Sequence, residues 1–199
     1  MVPARSTRER ARPRCEAIGV VASTGGPAVL VELLGALPAD FPVPLLVVQH
    51  IADGFAEGLV RMLDQAVALP VALARDDAPL ARGAWVAPAD AHLTLTRARR
   101  AKLDGDAVHG RHRPSGDLLL QSLAEVAGAG AAAVVLTGMG RDGAAGVAAI
   151  AERGGAAFAQ DEASSSIWGM PRAAVEAGAR ALPPERIAAA LVRLAGEPR

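Results

Sequence analysis

Apolar residues in this chain gather into short β-type runs separated by longer amphipathic stretches. Ala17 to Ala22, Leu45 to Gln49, Ala132 to Leu136 and Ala156 to Gln160 read as strands. Between and after them, Pro27 to about Ala36, about Gly54 to Ala66, Asp142 to Arg153 and Pro184 to Leu194 read as helices. The last has proline at its start and Gly196 beyond its end, both in preferred places. Ser115 is placed to cap a further helix running to about Ala127. The middle of the chain breaks this rhythm. Val71 to Ala74, Trp85 to Ala87 and His92 to Thr96 are brief strand-like pieces separated by Asp76, Asp77, Pro79, Gly83, Pro88 and Asp90, the spacing of a hairpin or meander. An antiparallel insertion or edge is expected there, followed by a polar loop from Leu103 to Arg113. The expected fold class is therefore α/β, three-layer and doubly wound, with a mainly parallel sheet and a short antiparallel hairpin portion.

Length and composition narrow the picture. A chain of 199 residues is the size of one domain. Its first 14 residues carry Arg5, Arg8, Arg10, Arg12 and Arg14 with little apolar content, and read as a disordered basic leader ahead of a domain spanning 15–199. Lys plus Arg (21) balances Asp plus Glu (21) and aromatics are only 3%, which removes the basic field and stacking surfaces of a nucleic-acid binder. No run approaches the roughly 20 apolar residues of a membrane span. Cys15 is the only cysteine and the leader has no apolar signal core, so a cytoplasmic setting is expected, without an intrachain disulfide or a cysteine-based zinc site.

In doubly wound sheets ligands bind outside the carboxyl ends of the strands, so the residues that follow each run are the ones to inspect. The first run is followed by Ser23-Thr24-Gly25-Gly26, the second by His50, and a later one by Thr137-Gly138-Met139-Gly140-Arg141-Asp142-Gly143. A serine hydroxyl becomes a useful nucleophile when a histidine takes its proton, and the histidine works best when a carboxylate fixes its tautomer. The glycines after Ser23 permit close backbone approach, and the next helix N-terminus offers unpaired N–H groups to a developing oxyanion.

Each residue also has an ordinary use. Ser23 would serve as N-cap of the helix at Pro27, Asp142 as cap of its own helix, and His50 as a hydrogen-bonded histidine at a strand end. Capping does not account for a histidine after the second strand, and the conjunction favours chemistry. The order Ser, His, Asp and the stretch Val21-Ala22-Ser23-Thr24-Gly25 depart from the G-x-S-x-G elbow of the common esterases. A competing pattern is Gly138-x-Gly140-x-x-Gly143, a dinucleotide fingerprint with Asp161 and Glu162 further on. Against it, Asp142 would place a carboxylate where the pyrophosphate must sit. His109 and His112, flanked by arginines, read as a solvated loop rather than a metal site, His92 as structural, and Ser164 to Ser166 as a polar turn.

Several separated motifs also occur together, in one order: Ala22-Ser23-Thr24-Gly25-Gly26-Pro27, Val48-Gln49-His50, Ala87-Pro88 with Asp90 and His92, and His112-Arg113-Pro114-Ser115. They continue with Leu136 to Ala144, Ala159-Gln160-Asp161-Glu162 and Trp168-Gly169-Met170-Pro171-Arg172. On these residues the chain, from roughly Ala17 to Ala179, resembles the catalytic domain of the CheB-type chemotaxis receptor methylesterases, protein-glutamate methylesterases and glutamine deamidases. The resemblance implies a parallel α/β fold, with Ser23 as nucleophile, His50 as general base and Asp142 as its orienting carboxylate. It places the Thr24 and Met139 regions near the oxyanion and calls for no cofactor or metal. The implied partners are methyl-accepting chemotaxis receptors, through their cytoplasmic helical region. Ala52 stands where the family pattern has proline, and Gly116 where it has a branched apolar residue; neither is expected to touch the three site residues. Family members usually carry an N-terminal receiver domain, for which the 22 residues before Ser23 are too few, so a separate receiver domain is a further candidate partner. Three classes stay open: a serine esterase acting on protein, a dinucleotide-dependent enzyme, and a non-enzymic receptor-binding module.

Overall fold

The computed structural model describes residues 14–105 and 112–196. Along the chain run β1 (Ala17–Ala22), α1 (Gly26–Gly35), β2 (Leu45–Gln49), α2 (Ala56–Ala66), β3 (Val71–Leu73), β4 (Ala84–Val86), β5 (His92–Leu95) and β6 (Ala101–Asp104). They are followed by α3 (Gly116–Ala127), β7 (Ala131–Val135), α4 (Ala144–Glu152), β8 (Ala156–Gln160), α5 (Met170–Glu176), β9 (Arg180–Leu182) and α6 (Pro184–Ala195). Every residue of β1, β2 and β7 is buried. Strands covered on both faces need apolar side chains at every position, which is why these segments are unbroken runs.

Seven strands form one sheet in the order β3-β4-β2-β1-β7-β8-β9, and every pairing in it is parallel. From β1 the chain winds outward through β2 on one side and, later, from β7 on the other. The crevice outside the carboxyl ends of β1 and β7 is thus the topological switch point, where such sheets bind ligands. Ile18, Val20 and Ala22 of β1 point into a core shared with α1, α2 and α6. Ala17 and Val21 face the opposite core, closed by α3, α4 and α5 together with Leu93, Leu95 and Ala101 of the small β5–β6 pair. Three layers result. Among the described residues no helix is long and apolar enough to cross a membrane.

The middle of the chain differs from its expectation. β3 and β4 join the main sheet in parallel, and the only antiparallel pair is β5 with β6. A parallel pair needs a crossover rather than a tight turn. Residues 74–83 provide it by leaving the sheet to bond with β6, where Asp77 N–H donates to the Ala101 carbonyl at 2.9 Å and Ala101 N–H to the Ala78 carbonyl at 2.9 Å. The turn residues in this stretch thus mark an excursion to the second sheet, not a hairpin. Leu103 and Asp104, expected in a loop, end β6, where Asp76 Oδ1 accepts from Leu103 N–H at 2.8 Å. The helix expected from Asp142 begins at Ala144, because Gly143 at φ 95° occupies its N-cap and leaves Asp142 outside. Likewise Gly25, at φ 81°, is the N-cap of α1, and Ser23 caps nothing. α5 and β9 were not anticipated; both are short and lack a long periodic pattern. Most of the basic leader expected at 1–14, and His109 of the polar loop, lie outside the described residues.

Candidate active site

The parallel ladder continues one residue past the strands. Ser23 N–H donates to the Thr137 carbonyl at 3.0 Å and His50 N–H to the Ala22 carbonyl at 2.9 Å, so both residues leave the sheet beside the switch point. Buried polar side chains hold this edge. Gln49, 3% exposed, donates through Nε2 to the carbonyls of both Ser23 (2.8 Å) and His50 (2.9 Å). Thr137 Oγ1 donates to the Thr24 carbonyl at 3.0 Å, and Gln160 Oε1 accepts from Thr137 N–H at 2.8 Å. Buried amides and hydroxyls are costly unless paired, and these are paired with the loops that carry the site. Sequence reasoning missed all three as positioning residues. Their signal was a polar residue closing or directly following an apolar run.

His50 and Asp142 meet directly: Nε2–H of His50 donates to Asp142 Oδ2 at 2.7 Å, and both side chains are largely buried. The other ring nitrogen, Nδ1, is buried and has no hydrogen-bond partner among the described residues. Ser23 therefore stands beside the histidine, tied to it through Gln49, without a hydrogen bond between hydroxyl and ring. Apo geometry of this kind is common where a bond tightens only with substrate.

Asp142 caps a helix, but not its own. Its carboxylate accepts from Gly116 N–H at 2.6 Å and Asp117 N–H at 3.0 Å in the first turn of α3, and from Ser115 Oγ at 3.1 Å. Burial by itself pushes the Asp142 carboxyl up; the hydrogen bonds from His50, Gly116 and Asp117 outweigh it and hold the group at about 2. Because that lies below the ordinary 3.8, the ionised form stabilises the fold fully above the ordinary value and ceases to as pH falls through about 2. This contribution is on the order of 2 kcal/mol. The stability gap between the wild type and Asp142→Asn in urea unfolding should therefore narrow between about pH 5 and about pH 2.

The HRPS segment, expected to be a solvated loop at His112, instead stacks that ring on His50 with centroids 4.2 Å apart and planes 10° from parallel. Two residues on, Pro114 leads into Ser115, which caps α3 as expected by accepting from Leu118 N–H at 3.4 Å. His92, 1% exposed, is structural as expected, its Nδ1 accepting from Ser115 N–H at 3.1 Å. Gly116, expected to lie clear of the site, contacts Asp142 through its amide. A Cβ at Gly116 would press into Val21 Cγ1, lie 2.8 Å from Val21 Cγ2 and come within 3.1 Å of Asp142 Oδ2. Gly116→Ala should cost about 1–3 kcal/mol of stability, read from urea unfolding.

Thr24 and Met139 flank Ser23 and Gly138, and neither amide is paired with a backbone carbonyl among the described residues. Met139 is 69% exposed at the rim. Gly138 is in close contact with Ser23, since a Cβ there would stand 2.6 Å from Ser23 Cβ. The polar turn at Ser164 to Ser166 is as expected, with Ser164 Oγ donating to Asp161 Oδ1 at 2.6 Å. The fingerprint Gly138-x-Gly140-x-x-Gly143 has no room for a pyrophosphate. The α4 amide that would receive it, Gly146 N–H, already donates to Asp117 Oδ1 at 3.0 Å, with Gly143 and Ala145 bonding the same carboxylate. Cys15, far from this edge, stays a thiol because burial pushes it up to about 11.

A doubly wound, wholly parallel sheet with a carboxylate–histidine pair and a serine in its switch-point crevice defines the class: an α/β domain built for ligand chemistry at its strand ends. The chain belongs to the CheB methylesterase family, whose profile matches residues 18–191. It is 49% identical over 164 residues to protein-glutamate methylesterase/protein-glutamine glutaminase 3 of Myxococcus xanthus, covering 82% of this chain and 46% of the relative. It is 45% identical over 196 residues to the protein-glutamate methylesterase FrzG of Myxococcus xanthus, covering 96% of this chain and 58% of that one. The chain thus spans about half the length of the curated relatives it matches. The crystal structure of the Thermotoga maritima CheB methylesterase catalytic domain superposes with a TM-score of 0.86 at 34% identity, covering 92% of this chain and 100% of that one.

Proposed function

We propose that residues 15–199 form a catalytic domain that hydrolyses glutamyl methyl esters on methyl-accepting chemotaxis receptors, at their cytoplasmic helical region, releasing methanol. Ser23 is the nucleophile, His50 the general base and Asp142 its orienting carboxylate. The observation that carries this reading is the division of labour on the His50 ring: Nε2 is held by Asp142 at 2.7 Å, and Nδ1 is buried and free. A carboxylate on Nε2 keeps the proton there, so Nδ1 has the lone pair. It is Nδ1, not Nε2, that takes the proton in this site.

In the first half-reaction Ser23 Oγ attacks the ester carbonyl carbon while its proton passes to His50 Nδ1. The oxyanion is met by the N–H groups of Thr24 and Met139, worth about 10²–10³ in rate for each donor. Collapse breaks the bond to the methoxy oxygen, which leaves as methanol with the proton from Nδ1. Water then attacks the acyl-serine, His50 takes its proton and returns it to Ser23 Oγ, and the glutamate carboxylate is released. Replacing methoxide by ammonia as leaving group gives glutamine deamidation through the same acyl-enzyme. The cytoplasm is the setting in which such receptor segments are reached, and a receiver domain is the partner the family resemblance adds.

The test is methanol release from membranes carrying methylated receptors, without added cofactor. Release that depends on this chain supports the reading. Receptor association with no release at any pH would instead favour a binding module.

A further inference from the structure

Asp142 is fixed by contacts that the reaction above does not itself require, and one of them runs through a second carboxylate. Residues 136–143 form a loop between β7 and α4, so the backbone alone leaves Asp142 on a connecting segment. Asp117 ties that loop down at both of its own ends. Its amide N–H donates to Asp142 Oδ1 at 3.0 Å, and its Oδ1 accepts from Gly146 N–H at 3.0 Å in the first turn of α4, with Gly143 and Ala145 bonding the same side chain. The two helices therefore exchange caps: Asp142, next to α4, caps α3, and Asp117, in α3, caps α4.

The close fit between the helices makes this exchange stiff. A Cβ at Gly146 would press into Leu120 and come within 3.2 Å of the Asp117 carbonyl, so α3 and α4 meet with no side chain between them. Holding Asp117 there has a cost. Burial raises its carboxyl above the ordinary value and the nearby Asp142 charge raises it further, against the pull of the α4 amides. A serine or asparagine would cap α4 without bringing a second carboxylate beside the first.

We propose that Asp117 is a positioning residue for the reaction, holding Asp142 at His50 by clamping the first turn of α4 to the first turn of α3. The inference rests on the assignment of Asp142 as the carboxylate that orients His50. With the clamp released, Asp142 keeps its charge but not its place, and the tautomer and angle of His50 are no longer set. Misplacement of a catalytic group by about 1 Å costs on the order of 10²-fold in rate.

Asp117→Ala and Asp117→Asn, made in this chain, test the clamp, because asparagine keeps an acceptor for the α4 amides and alanine keeps none. Two readouts are taken at a temperature where circular dichroism shows each variant folded. In methanol release, Asp117→Ala is expected to lose about 10–100-fold in kcat with KM unchanged, and Asp117→Asn to stay within about threefold of wild type. In proton NMR, the low-field N–H signal of His50 bonded to Asp142 is expected to broaden or vanish in Asp117→Ala and to persist in Asp117→Asn. Wild-type kcat in Asp117→Ala, or a sharp unshifted His50 signal in it, overturns the proposal, as does equal loss in both variants. Should Asp117→Ala not fold, Asp117→Ser, a shorter cap, takes its place with the same expectations. Ser23→Ala run alongside separates the two levels: methanol release surviving in that variant removes the reaction assignment, and the NMR readout still judges the clamp.

Discussion

Replacing Ser23 with alanine is expected to lower methanol release from methylated receptor membranes by at least about 10⁴-fold. The fold should be untouched. Ser23 owes its place to backbone bonds, its N–H donating to the Thr137 carbonyl and its carbonyl accepting from Gln49, and alanine keeps both. The hydroxyl itself holds nothing together among the described residues. Thermal unfolding should therefore shift by no more than about 1 °C, since surface-type substitutions without a structural partner stay within about 0.5 kcal/mol. Residual release within about tenfold of wild type would remove Ser23 from the mechanism.

Asp142→Asn is expected to lower turnover by up to about 10⁴-fold, the scale seen when a histidine loses the carboxylate that sets its tautomer. Here stability falls with it. Four donors converge on the carboxylate: His50 Nε2–H, Gly116 N–H, Asp117 N–H and Ser115 Oγ–H. An asparagine offers one oxygen and turns an NH₂ group toward the remaining donors, leaving at least one buried N–H unpaired. That costs about 2 kcal/mol, or roughly 4–8 °C in Tm for a chain of this size. Differential scanning calorimetry beside the methanol assay checks both halves, and an unchanged Tm would mean that α3 does not depend on the Asp142 cap. A site built on a helix cap cannot be disarmed at that residue without loosening the helix.

The difference between what was legible and what was not follows the range of the interactions. Ala17–Ala22, Leu45–Gln49 and Ala156–Gln160 fall where the apolar runs place them, because strand length and burial on both faces are written into consecutive residues. The helix after Ser115 is equally local, since a serine side chain and an amide three residues on are enough to start it. Inspecting the residue after each strand was enough to single out Ser23, His50 and Asp142, because a parallel sheet puts its strand ends on one edge.

Composition and periodicity thus determined the α/β class, most of the elements and the edge on which chemistry could sit. Tertiary structure decided the partners. His50 and Asp142 are 92 residues apart and Thr137 and Thr24 are 113 apart, so no local pattern could pair them. Asp142 looked like the cap of its own helix and caps α3 instead, because Gly143 takes the N-cap position and α3 brings two free amides within reach. The stacking of His112 on His50 and the parallel pairing of β3 with β4 have the same origin. Each depends on the path of the chain between the segments, and hydrophobic period reports which face a residue presents but not which distant segment meets it.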